Sequence, residues 1–198
     1  MSVSRLRLIA GPNGAGKSTF TENLLQEHVS LGVYVNPDEI AKTLIGGDEL
    51  SRAKEAQQLA VQHREKLLLA GQSMTYESVM SHHSHLEFLK RAKALSYRTY
   101  LYFIGVEDPN INKKRVKERE KFGGHGVPEE KITPRYKRTM EQLFEACLLV
   151  NRAYVFDNSL NDYYMLAEVH EGQLTTHNLA AQLSWHKTYI LDKFNAKE

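Results

Sequence analysis

Between the apolar run Leu6-Arg7-Leu8-Ile9-Ala10 and a helical pattern with Phe20, Leu24 and Leu25 on one face stands Gly11-Pro12-Asn13-Gly14-Ala15-Gly16-Lys17-Ser18. Those eight residues match G-x-x-x-x-G-K-[ST] without a mismatch, so the chain must open as strand, anion-cradling loop and helix, the P-loop arrangement. Backbone N–H groups of such a loop surround a triphosphate tail, and a side chain at Gly11, Gly14 or Gly16 would block their approach. Lys17 is placed to reach the β and γ phosphates. Ser18 supplies an oxygen to Mg²⁺, and the helix behind it turns its positive end toward the anion. The motif predicts binding of ATP or GTP with magnesium through Gly11, Asn13, Gly14, Ala15, Gly16, Lys17, Ser18 and Thr19, with Ser18 as the metal contact.

The remaining chain of 198 residues, 41% hydrophobic and 25% charged, suits one domain, 1–198, with a core of its own and at most a small lid. A formal net charge of +2 is too weak to announce nucleic acid as a partner. Cys147 has no second cysteine to pair with, which fits a reducing compartment. No apolar stretch approaches the length of a membrane span and the first residues lack a secretion signal, so the expected location is the cytoplasm.

Hydrophobic periodicity predicts strands at 6–10, 33–36, 73–77, 98–104 and 153–156. Helices are expected at 17–28, from 37, and at 49–70, 82–95, 109–121 and 127–150. Strand alternating with helix implies an α/β, P-loop kinase-like parallel sheet with helices on both faces. The tail reads differently, as a strand at 163–170, a turn at 171–173 and a closing helix at 179–194, a C-terminal strand-turn-helix addition. A basic segment at about 109–138 reads as the lid.

Ligands of open parallel sheets sit beyond the carboxyl ends of the strands, which singles out the residues just past each one. After the second strand comes Asn36-Pro37-Asp38-Glu39. Asn36 as cap, Pro37 at the first helical position and Glu39 closing a capping box would explain three of the four. Asp38 then either favours the helix dipole or takes the proton of an acceptor hydroxyl. After the third strand, Glu77 and Ser78 are placed to bind sugar hydroxyls or a magnesium-bound water, or Glu77 is a solvated loop acid. The adjacent His82-His83-Ser84-His85 does not read as zinc, because neighbouring histidines on a helix point apart. Arg115 and Arg119 share a helix face ahead of Gly123-Gly124, a joint that could swing a guanidinium onto a γ-phosphoryl group; Lys/Glu pairing on a solvated helix is the alternative.

Taken together, GPNGAGKST, NPDEIA, YESVMS, the block from Arg115 to Arg138, and VFDNS resemble the zeta toxin family, over roughly residues 6–159. The resemblance implies a small P-loop kinase that moves the γ-phosphoryl of ATP to a hydroxyl of the amino sugar in UDP-N-acetylglucosamine. It makes Lys17 and Ser18 the nucleotide and magnesium contacts, Asp38 the carboxylate that deprotonates the acceptor, and Glu77 the glutamate that helps hold the sugar nucleotide. Arg115 and Arg119 match the arginine-bearing segment that neutralises the phosphates. His125, Arg135 and Arg138 belong to the same block, and Ser78 keeps the hydroxyl of a threonine usual in the family. Gly126 replaces a polar residue and Pro134 an arginine, so the lid loses a charge and its helix is expected to bend. Asp157-Asn158-Ser159 matches a family motif with no site role assigned. The resemblance also implies an antitoxin partner, and either toxicity or a metabolic role in cells.

Two other readings start from the same loop. A mechanical P-loop ATPase would need an LSGGQ segment and an apolar strand ending in Asp-Glu, which the chain lacks. A nucleic-acid module or polynucleotide kinase would use the stripe from Lys113 to Arg138, but Glu118, Glu120, Glu129 and Glu130 weaken its field.

Overall fold

The computed structural model describes residues 3–122, 126–177 and 183–197. Its seven strands are β1 (Arg5–Ala10), β2 (Val33–Val35), β3 (Met74–Ser78), β4 (Arg98–Gly105), β5 (Arg152–Asp157), β6 (Tyr164–His170) and β7 (Gln173–Thr176). They form one sheet in the order β2-β3-β1-β4-β5-β6-β7. The first five run parallel, and β6 and β7 add antiparallel. The helices are α1 (17–28, with a π turn at Thr21–Leu25), α2 (Pro37–Thr43), α3 (Glu49–Leu69), α4 (Ser84–Ala94), α5 (Pro109–Lys121), α6 (Glu129–Leu149) and α7 (184–195). The architecture is the mixed α/β, mostly parallel sheet that the alternation predicts.

β1 lies between β3 and β4 and is buried along its length past Arg5, so its continuous apolar run needs no alternation. The two faces of the sheet carry different layers. On one, Phe20 of α1 meets Tyr102, Phe156 and Tyr163 with ring centroids 6.2, 4.9 and 5.2 Å away. On the other, Phe103 meets Trp185 of α7 at 6.1 Å, and Phe144 of α6 meets Phe194 of α7 edge-on at 5.0 Å. Adjacent residues of β4 thus serve opposite cores, as the strand period of two requires.

Helix starts follow the capping grammar. Asn36 accepts from the Asp38 amide at 2.9 Å, and Asp108 from the Asn110 amide at 2.6 Å, each followed by proline at the first helical position. Glu39, expected to reach back and close a capping box, accepts from Lys42 at 2.5 Å. α6 continues through Pro134, which costs it one backbone donor in its second turn. β7 is an element the sequence does not announce, because Gln173-Leu174-Thr175-Thr176 offers a single apolar residue. The closing helix is described from Ser184; residues 179–182 of the expected helix lie outside the described residues.

The C-terminal addition braces the end of the sheet that carries the loop. Trp185 donates its indole N–H to Asp157 at 3.0 Å, and Glu107 accepts from the Ser184 and Trp185 amides. A Cβ on Gly105 would come within 2.5 Å of the Trp185 ring, so glycine stands there to let the indole pass.

Candidate functional site

The loop leaves β1 at Ala10 and enters α1 at Lys17, with β3 and β4 alongside. Gly16, at the N-cap of α1, has φ 93°, and a Cβ there would meet the Asn158 amide at 2.5 Å and the Tyr163 hydroxyl at 2.7 Å. Both neighbours are ties: Asn158 donates to the Ala15 carbonyl at 2.9 Å and Tyr163 to the Gly16 carbonyl at 2.7 Å. From the other side, fully buried Asn112 of α5 donates to the Asn13 carbonyl at 2.6 Å. Three side chains remote in sequence therefore fix carbonyls of the loop and of the helix start.

Lys17 folds back over the loop, its Nζ donating to the carbonyls of Gly11 at 2.9 Å and Pro12 at 3.0 Å. Burial pushes its pKa down; the carboxylates of Glu77 and Asp38 pull it back up, and Arg119 adds to the depression. Those influences gather the expected catalytic groups around one ammonium. Asp38 and Arg119 themselves form an ion pair at 3.8 Å, both about half exposed. Thus the first turn of α2 and the last turn of α5 meet in front of the loop.

Glu77 is not a solvated loop acid: it is 7% exposed. Its carboxylate accepts from Ser18 at 2.8 Å, from Thr21 at 3.0 Å and from the Tyr34 hydroxyl, while Asn36 donates to the Tyr34 oxygen at 3.1 Å. Burial, then the charge of Glu77, pushes the Tyr34 phenol upward, so Tyr34 remains a donor. Glu77 thus shares the hydroxyl of the P-loop serine.

The two arginines separate. Arg115 donates through Nη2 to the Asn158 carbonyl at 2.7 Å, the Ser159 carbonyl at 3.2 Å and the Asn161 side chain at 2.7 Å. It lines a cavity of about 220 Å³ with Gly16, Thr19, Asn158, Asn161 and Tyr163, whereas Arg119 faces Asp38. Ser78, on the opposite side of β3 from Glu77, bonds His85 at 2.8 Å. Arg138 reaches the Ser81 carbonyl at 3.3 Å, and Arg135 is half-buried one turn earlier on α6. His125 lies outside the described residues, as do Gly123 and Gly124 of the expected joint. The histidine run does diverge: His82 turns to Ser84, His83 to Glu87 at 3.2 Å, and His85 inward.

Asn112, Asn158, Asn161, Tyr163 and Tyr34 were not singled out for the site by sequence. The VFDNS match was the available signal for Asn158; a tyrosine opening a tail segment carries none.

A strand-loop-helix nest with lysine and serine at its mouth, under a carboxylate paired to an arginine, defines a P-loop fold of the kinase-like kind. The chain belongs to the AAA domain family, whose model matches residues 6–143. An uncharacterized protein of Haemophilus influenzae is 28% identical over 129 residues, covering 64% of this chain and 88% of the relative. Among solved structures, the AvrRxo1-ORF1:-ORF2 complex with ATP superposes with a TM-score of 0.72 at 15% identity, over 92% of this chain and 64% of that one. The PezAT chromosomal toxin-antitoxin system of Streptococcus pneumoniae gives 0.59 at 14% identity, over 98% and 88%. At such identities these likenesses establish the fold. The chain spans less than two thirds of the length of the chain it matches in the AvrRxo1 complex. No helix among the described residues is long and apolar enough to cross a membrane.

Proposed function

We propose that the protein is an ATP-dependent phosphotransferase whose acceptor is a hydroxyl of a sugar nucleotide of the UDP-N-acetylglucosamine class. The observation that carries this reading is the Asp38–Arg119 pair standing before Lys17. A loop that only binds nucleotide needs no carboxylate and guanidinium before its lysine. A kinase needs both, one to take the hydroxyl proton and one to balance charge on the moving phosphoryl group.

In this reading the loop amides and Lys17 hold the β and γ phosphates, and the cavity beside Arg115 and Tyr163 has room for the base end of ATP. The acceptor oxygen attacks the γ-phosphorus in line as the bond to the β-γ bridging oxygen breaks. The proton passes to Asp38, and ADP leaves. Lys17 and Arg119 lower the barrier by charge already in place rather than by covalent chemistry. The Ser18 hydroxyl and Glu77 carboxylate, 2.8 Å apart, are hard oxygen donors that suit magnesium. Bound there, the ion would neutralise phosphate charge, with Ser18 as direct contact and Glu77 through water.

The sugar nucleotide comes from the zeta toxin resemblance, supported by the likeness to the PezAT structure. The same likeness supports a neutralising protein partner, which would act by covering the nucleotide site. The test is an acceptor screen: protein with Mg-ATP and a panel of nucleotide sugars and free sugars, read by mass spectrometry. One phosphate gained by UDP-N-acetylglucosamine is the expected result. Gain on another acceptor would replace the sugar, and ATP hydrolysis with no phosphorylated product would refute the kinase.

A further inference from the structure

Behind the strand that carries Glu77 runs a second polar chain. Arg64 of α3 is 8% exposed, with its guanidinium over the rings of Tyr76 at 5.0 Å and Phe88 at 4.9 Å. Its Nη1 lies 3.4 Å from His85 Nδ1. His85 Nε2 lies 2.8 Å from Ser78 Oγ, and the Met80 amide donates to the same oxygen at 2.9 Å.

The direction of every bond in this chain follows from its first member. A guanidinium has donors and no acceptor, so His85 Nδ1 must accept and carries no proton. The neutral ring then bears its hydrogen on Nε2 and donates it to Ser78. Burial, then the Arg64 charge, then His82 push the His85 pKa down to about 3, which keeps the ring neutral through the working range. The Ser78 oxygen thus takes one hydrogen from His85 and one from Met80, which occupies both lone pairs. Its own hydroxyl hydrogen is left to donate.

Ser78 is placed to use it. It is the last residue of β3, half-buried, and opposite Ala10, the residue before the phosphate loop. On its other flank β2 pairs in register up to Val35 with Tyr76, so the following Asn36-Pro37-Asp38 comes level with Glu77 and Ser78. Ser78 therefore ends the strand that lies between the one leading into the loop and the one leading into the helix of Asp38.

We propose that Arg64 and His85 are positioning residues that make Ser78 an obligate hydrogen-bond donor to the phosphoryl acceptor, which must present an accepting oxygen there rather than a hydroxyl hydrogen. The ligand half of this rests on the kinase reading; the polarity of the chain does not. Nitrogen-15 NMR of the histidine rings tests the polarity directly. His85 is expected as the Nε2–H tautomer, unchanged from pH 8 to 5, and an Nδ1–H tautomer, or titration near 6.5, overturns it. The ligand half is read in steady-state kinetics with the acceptor found by the screen. Ser78→Ala should raise the acceptor KM about tenfold with kcat little changed, the signature of one lost binding hydrogen bond. Ser78→Thr should restore it. His85→Gln, whose amide can still donate to Ser78, should stay near wild type, while His85→Phe should follow Ser78→Ala. Wild-type KM in both Ser78→Ala and His85→Phe overturns the ligand half. If wild type phosphorylates nothing in the panel, the kinase reading fails and takes the ligand half with it, while the NMR result still decides the polarity.

Discussion

Arg115 and Arg119 stand one helical turn apart on α5 and do different work. Arg119, about half exposed, holds Asp38 in a pair that contributes at most about 1 kcal/mol to stability. Arg119→Ala should therefore lower kcat by about 10³-fold with little change in melting temperature. Arg115 is spent on three acceptors in the 158–161 turn, so Arg115→Ala should cost about 1.5–3 kcal/mol in denaturant unfolding. Comparable kcat losses from the two variants, or a stability loss only from Arg119→Ala, would contradict this division. Sequence put both on one helix face, which is true; it could not rank them, because the partners of Arg115 lie more than forty residues away. His85 gives a pH signature. Its folded pKa of about 3 lies below the ordinary 6.5, so the unfolded chain binds a proton first and stability is lost as pH falls from 6.5 toward 3. One such group contributes a slope of about 1.4 kcal/mol per pH unit in that window. Urea titrations should show a shallower decline in His85→Gln than in wild type, and identical slopes would refute the assignment.

At the level of elements, the phosphate loop is braced by segments that arrive late in the chain. Asn112 ties it to α5, and Asn158 and Tyr163 tie it to the β5–β6 turn. Asn112→Ala leaves the Asn13 carbonyl without that donor and should cost about 1–3 kcal/mol, with weaker Mg-ATP binding by calorimetry. Unchanged stability and affinity would show that α5 is held elsewhere. The Gly105 passage makes a second prediction. Gly105→Ala drives a methyl into Trp185 and should destabilise by about 1–3 kcal/mol, a loss that Trp185→Leu in the same chain should partly relieve. Additive losses in thermal unfolding would mean that the collision is not the cause. Strand and helix types were legible wherever a buried face sets the period, as in 98–104 and 153–156. β7 was not, since its pairing with β6 supplies backbone bonds that its side chains do not advertise.

Over the whole molecule, the order β2-β3-β1-β4-β5 brings the ends of β1, β2 and β3 and of three helices, α1, α2 and α5, to one mouth. The P-loop and the strand-end rule point at Lys17, Ser18, Asp38 and Glu77, and the fold brings the four together. What they could not supply is orientation. That Glu77 turns to Ser18 while its neighbour Ser78 turns to His85 follows from the two faces of β3, and only the sheet order says which helix covers each. The claim on which the rest depends is that Asp38 takes the acceptor proton across from the nucleotide. Its most direct measure is the single-turnover rate of phosphoryl transfer from Mg-ATP by Asp38→Asn beside wild type, with ATP affinity followed in the same samples. Loss of the rate by about 10²- to 10⁴-fold at unchanged affinity is the outcome expected of a positioned base. Transfer at the wild-type rate would contradict the account.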